Sequence, residues 1–199
     1  MRAPFSWVLA VLLVAGPAQG EDCAKAVTDP KGDAFAGATA EPSGDLLWSD
    51  LRLTGEGLEV TFAVDDLDAA SAGDTGRALG LTLDIGENGG RFLVEYVRQG
   101  KDARADLYRV TKRYPGTGDT WELEHRAPLR FRVDGDRVTV TASKRILADN
   151  EVWLRNGVAA SRLRLASHGV VDAVATTANV LVDDAQRPND ADYVFGDCA

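Results

Sequence analysis

The chain has 199 residues, 45% of them hydrophobic, with 22 basic against 31 acidic side chains and a formal net charge of −9. That length suits one domain with a sizeable core. The acidic balance argues against nucleic acid as a partner, since binding phosphates takes a basic excess, and its plainest consequence is solubility outside the cell.

Residues 1–20 read as a secretory signal peptide. Arg2 supplies a positive start, Trp7 to Gly16 an apolar run, and Ala18-Gln19-Gly20 small residues before a cleavage point. The apolar run is too short for a comfortable membrane span. Cleavage after Gly20 leaves 21–199 as one domain outside the cell. No later segment is expected to cross a membrane; Val170 to Val182 is the most apolar stretch, but it is short and contains Asp172.

Beyond the leader, alternation of period two dominates. A strand over Leu47–Leu53 leads through Thr54-Gly55-Glu56-Gly57 into Leu58, Val60, Phe62 and Val64, with Glu59 and Thr61 between them. Leu79, Leu81, Leu83 and Ile85 repeat the pattern, and Phe92, Val94 and Tyr96 follow the turn Glu87-Asn88-Gly89-Gly90. Weaker strands are expected over Ala105–Thr111, Val152–Arg155 and Arg162–Ala166. The clearest hairpin runs from Leu129, Phe131 and Val133 through Asp134-Gly135-Asp136 to Val138 and Val140, because Asp-Gly suits a tight turn with positive φ. Helical turns are expected only near Ser143–Ala148 and Asp66–Ala72. Many short strands at this spacing predict an all-β fold, an antiparallel sandwich of about eight or more strands, or else a barrel. Val60, Phe62, Leu81, Leu83, Val94, Phe131 and Val140 are expected in its core, with Trp48 and Trp153 also buried.

The chain contains two cysteines, Cys23 and Cys198. Exported cysteines are usually paired, and within one chain only this pairing exists. It would join the two ends of the mature domain. The alternative is a bond between chains; the expected state is a monomer.

Asp29-Pro30-Lys31-Gly32-Asp33-Ala34 opens the domain, Asp45-Leu46-Leu47 leads into Leu51-Arg52-Leu53, and a glycine turn precedes the strand Gly57–Val64. An acidic, proline-containing segment, Val182 to Asp190, lies near the end. This succession resembles bacterial secreted sandwich domains of the DOMON-like and family-9 carbohydrate-binding-module-like type. The resemblance implies a sandwich fold and a group that includes sugar binders and haem binders; fold alone does not carry function.

Each chemistry can be weighed against the residues. Haem relatives use methionine and histidine ligands, but Met1 is the sole methionine and lies in the leader, leaving only His125 and His168. Two isolated histidines give no zinc set. No Gly-x-Ser-x-Gly elbow is present, and Ser167-His168 adjacency is not a triad. Sugar binding needs exposed aromatic faces beside polar groups. Trp121 and Tyr108 are the candidates, and Asp106 and Val110 share the side of the strand that carries Tyr108. Calcium takes six to eight oxygens, and Asp29, Asp33 and Asp45 are the candidate cluster. Asp183, Asp184 and Asp190, or Asp65, Asp66 and Asp68, form further acidic groups. Against each stands ordinary turn chemistry, in which aspartate bonds local backbone N–H groups. Arg130 and Arg132, with Arg162 and Arg164, would form a basic stripe if their strands were neighbours, or pair with Glu122 and Glu124. The expectation is a secreted, non-catalytic binding module for carbohydrate or another cell-surface ligand, requiring no cofactor, with calcium as an optional ligand. The alternatives are a structural or protein-interaction domain and, third, a hydrolase.

Overall fold

The computed structural model describes residues 27–36, 39–40, 42–69, 76–85, 90–114, 120–154, 159–170, 180–186 and 193–194. For 35–36, 39–40, 112–114, 120–121, 159–170, 180–186 and 193–194 the description is of the backbone alone. Cys23 and Cys198, and the acidic residue Asp190, lie outside the described residues.

Alternating apolar residues leave one buried face on each strand, so the strands pack as two antiparallel sheets around a shared core. The smaller sheet contains β1 (Val27–Thr28), β4 (Leu46–Leu53), β5 (Gly57–Val64), β11 (Arg137–Ser143) and β10 (Arg130–Asp134), in that spatial order. The larger runs β13 (Val180–Gln186), β12 (Ala159–Val170), β6 (Gly76–Ile85), β7 (Arg91–Gln99), β8 (Asp102–Tyr114), β9 (Thr120–Pro128), and β14 (Tyr193–Val194) pairs with β12. β2 (Phe35–Ala36) and β3 (Thr39–Ala40) form a small separate ribbon. The fold is a compact all-β sandwich of antiparallel sheets, as the alternation predicts.

The core joins Leu51, Leu58, Val60, Phe62 and Val64 of the smaller sheet to Leu79, Leu81, Leu83, Phe92, Val94, Tyr96 and Leu107 of the larger. Burying each such side chain contributes roughly 1.5–3 kcal/mol. Two tight hairpins fix register. Asp134 pairs with Arg137 across Gly135-Asp136, and Gln99 with Asp102 across Gly100-Lys101. In each, the first central residue is a glycine at positive φ (57° for Gly135, 58° for Gly100), as type II′ hairpins require. The chain changes sheet at Leu129, whose N–H donates to the Ala105 carbonyl at 2.8 Å. After β11, Ser143 caps a short helix, α1 (Lys144–Asp149), by accepting from the Ile146 N–H at 3.3 Å. Among the described residues no helix is long and apolar enough to cross a membrane.

Several expectations are corrected. Six of the seven expected core residues are buried, but Phe131 is 38% exposed, because β10 is an edge strand. Trp153 is 68% exposed and follows α1 outside any strand, so the strand expected over Val152–Arg155 does not form in its described part. Trp48 is only half-buried, on the outer face, with the Arg137 guanidinium 5.4 Å from its ring centroid. Residues 66–69 form a single turn, in which the Ala69 N–H donates to the Asp66 carbonyl at 3.2 Å and Asp136 Oδ1 accepts from the Leu67 N–H at 3.0 Å; the rest of the expected helical turn, 70–72, lies outside the described residues. Finally, Arg130 and Arg132 lie on β10 of the smaller sheet, while Arg162 and Arg164 lie on β12 of the larger. The strands are not neighbours, and no common stripe forms.

Candidate functional site

Side chains directly opposite in an antiparallel pair project from the same face. On β7, Phe92, Val94 and Tyr96 face the core, which turns Leu93, Glu95 and Val97 to the outer face. Glu95 pairs with Asp106, and Leu93 with Tyr108, which in turn pairs with His125 on β9. Glu95, Asp106, Arg104, Tyr108 and His125 therefore share one outer patch of the larger sheet.

The patch is tightly bonded. Asp106, 7% exposed, accepts from His125 Nε2 at 3.0 Å and from Arg104 Nε at 3.2 Å. A carboxylate only accepts, so with Asp106 as the acceptor this contact needs a proton on His125 Nε2. The Tyr108 ring meets the His125 ring edge-on, centroids 5.5 Å apart. Burial, then the charges of Glu95 and Asp106, push the Tyr108 hydroxyl up to about 12, against a hydrogen bond from Arg104. Glu95 is 7% exposed. Burial pushes its carboxyl up to about 7; Arg104 opposes the shift and Asp106 adds to it. Beside it on β6 stands Gly80, which leaves the carboxyl no side-chain partner from that strand.

A second cluster lies at one end of the sandwich. Asp45, 2% exposed, accepts from the Gly32 N–H at 2.7 Å through Oδ2, while its Oδ1 is buried without a hydrogen-bond partner. Burial, reinforced by the charges of Asp33 and Asp65, raises its pKa. Gly32 stands at φ 92°, which lets the loop curl over the carboxylate. Lys31 pairs with Asp65 and also feels Asp45 and Asp136. Asp33 itself is exposed and Asp29 half-buried. Among the described residues no three carboxylate, imidazole or thiolate groups are arranged to hold a metal ion. A calcium ion here would draw on Asp45 Oδ1 and on loop carbonyls, in competition with the Lys31 ammonium.

A third feature is a shallow depression of about 360 Å³ on the smaller sheet, lined by Glu56, Glu59, Arg130, Phe131, Arg132 and Thr141. Glu56 and Glu59 line the same depression as these arginines. Glu122 and Glu124 lie on β9 of the other sheet, and Glu124 accepts from Arg126 at 2.7 Å.

Of the sequence candidates, Tyr108 stands on the outer patch and Asp45 under the first loop. Trp121 belongs to β9, opposite Arg113, but its side chain lies outside the description, as do those of Ser167, His168, Asp183 and Asp184. Glu95 and Arg104 were missed. The available signal was a single charged residue between Leu93 and Val97 on an otherwise apolar face. His125, a metal ligand or an ordinary surface histidine by sequence, is exposed, and its partner is Asp106.

No family model, no curated protein and no solved structure matches the chain.

Proposed function

We propose that the chain is a secreted, non-catalytic binding module, of the DOMON-like or family-9 carbohydrate-binding-module-like kind it resembles. Its ligand is a carbohydrate, taken on the outer face of the larger sheet around Tyr108. The observation that carries this reading is the half-exposed Tyr108 ring beside the exposed Arg104 and His125 side chains, with Asp106 holding both. A pyranose offers an apolar face to an aromatic ring and hydroxyls to charged donors and acceptors around it.

The test is native electrophoresis through gels containing soluble β-glucan, xylan or chitosan oligomers. Retardation by at least one is expected, and Tyr108→Ala should weaken it about tenfold, the loss of one stacking contact, while melting like the parent. No retardation in any gel, or equal retardation of Tyr108→Ala, defeats the proposal. Calcium enters the same reading as a loop ligand at Asp45. Millimolar calcium should then raise the melting temperature relative to excess chelator, since an ion bound only by the folded state stabilises it. Identical melts remove calcium from the account.

A further inference from the structure

We propose that β10 is an open docking edge, which takes one extended segment of a partner protein, alternating apolar and acidic residues, as an added strand.

The two sheets face each other strand by strand. β1 and β4 meet β12 and β13, β11 meets β7, and β10 meets β8. β9 is the last described strand of the larger sheet and runs through Leu129 alone into β10. β10 is the last described strand of its sheet, and an added strand would occupy the space about 4.8 Å beyond it. Among the described residues β10 pairs only with β11. Alternate N–H and C=O groups on its other side point into that space, the usual template for strand addition.

The side chains specify the occupant. Phe131 and Val133 point inward like Val138 and Val140 opposite them, yet they are 38% and 46% exposed. The Phe131 ring already leans edge-on against the buried Tyr96 at 5.2 Å. Apolar residues of an added strand would complete this corner of the core. Arg130 and Arg132 project from the opposite face and are exposed. Neither guanidinium forms an ion pair or hydrogen bond among the described residues. Acidic residues of the added strand would stand directly opposite them. A second copy of β10 is the competing occupant: bringing Phe131 against Val133 of the second copy sets Arg132 against Arg132 but Arg130 against Asp134.

The probes are end-blocked octapeptides of alternating valine and glutamate, and of alternating valine and lysine, at physiological ionic strength, where loose charge attraction is screened beyond about 8 Å. Binding is read by fluorescence anisotropy and by hydrogen exchange at residues 130–134. The valine–glutamate peptide should bind and protect β10 amides, and the valine–lysine peptide should not. The double variant Arg130→Glu, Arg132→Glu, whose changes lie on exposed positions, should exchange the preference. The proposal is overturned by absence of binding up to about 1 mM, a free energy near −4 kcal/mol. It is equally overturned by binding that leaves β10 amides unprotected, by the double variant keeping the parent's preference, or by β10 protection that appears only as the free protein self-associates.

Discussion

Replacing Glu95 with glutamine is expected to stabilise the protein at pH 8 and to change it little at pH 5. The carboxyl stands at about 7 in the folded state against an ordinary 4.5. Between those values the folded protein holds a proton that the unfolded chain has released, so stability falls as pH rises through the window. Above pH 7 the buried charge costs up to about 3 kcal/mol, from 1.36 kcal/mol per pH unit. Arg104 offsets part of the cost and Asp106 adds to it, while Gly80 on the adjacent strand gives no side-chain donor. Glutamine keeps the shape without the charge. Its melting temperature should exceed the parent's at pH 8 by about 3–10 °C, at roughly 2–4 °C per kcal/mol for a domain of this size. An offset that is the same at pH 5 and pH 8 would show that Glu95 is not the group responsible.

Gly57→Ala is expected to be among the most damaging single-methyl additions in the chain, at about 2–5 kcal/mol. Gly57 begins β5 at φ 147°, pairs with Ser143, and accepts from the Thr54 N–H at 2.8 Å to close the turn from β4. A Cβ there would run into the Ala142 carbonyl oxygen and come within 2.9 Å of the Lys144 nitrogen. These are backbone atoms of β11 and of the first residue of α1, and they cannot swing aside. Gly55, two residues earlier in the same turn, has nothing within 4 Å of its Cβ position, so Gly55→Ala should stay within about 1 kcal/mol. Urea unfolding of the two variants checks the contrast; equal destabilisation would disprove the steric account.

The sequence by itself determined the strands and most of the core. Period-two alternation follows from backbone geometry, so Leu58 to Val64, Leu79 to Ile85 and Phe92 to Tyr96 each announce a strand with one buried face. Turn glycines add local register, because positive φ at Gly100 and Gly135 is a property of the residue itself. Ser143 announced its helix in the same local way. Only the tertiary structure decided how distant strands meet: β11 beside β5, β12 beside β6, and the crossing at Leu129. Phe131 and Val140 carry the same pattern and stand directly opposite each other, yet one is an exposed edge residue and the other is fully buried. The difference lies in what sits over them and beside them, which alternation does not encode. The patch around Tyr108 was half legible. Asp106 and Tyr108 share a strand face by counting, but Glu95 and His125 reach them from adjoining strands through pairings set by register. Burial of a charge such as Glu95 depends on neighbours from several strands, and those neighbours are assigned only when the sheets close on one another.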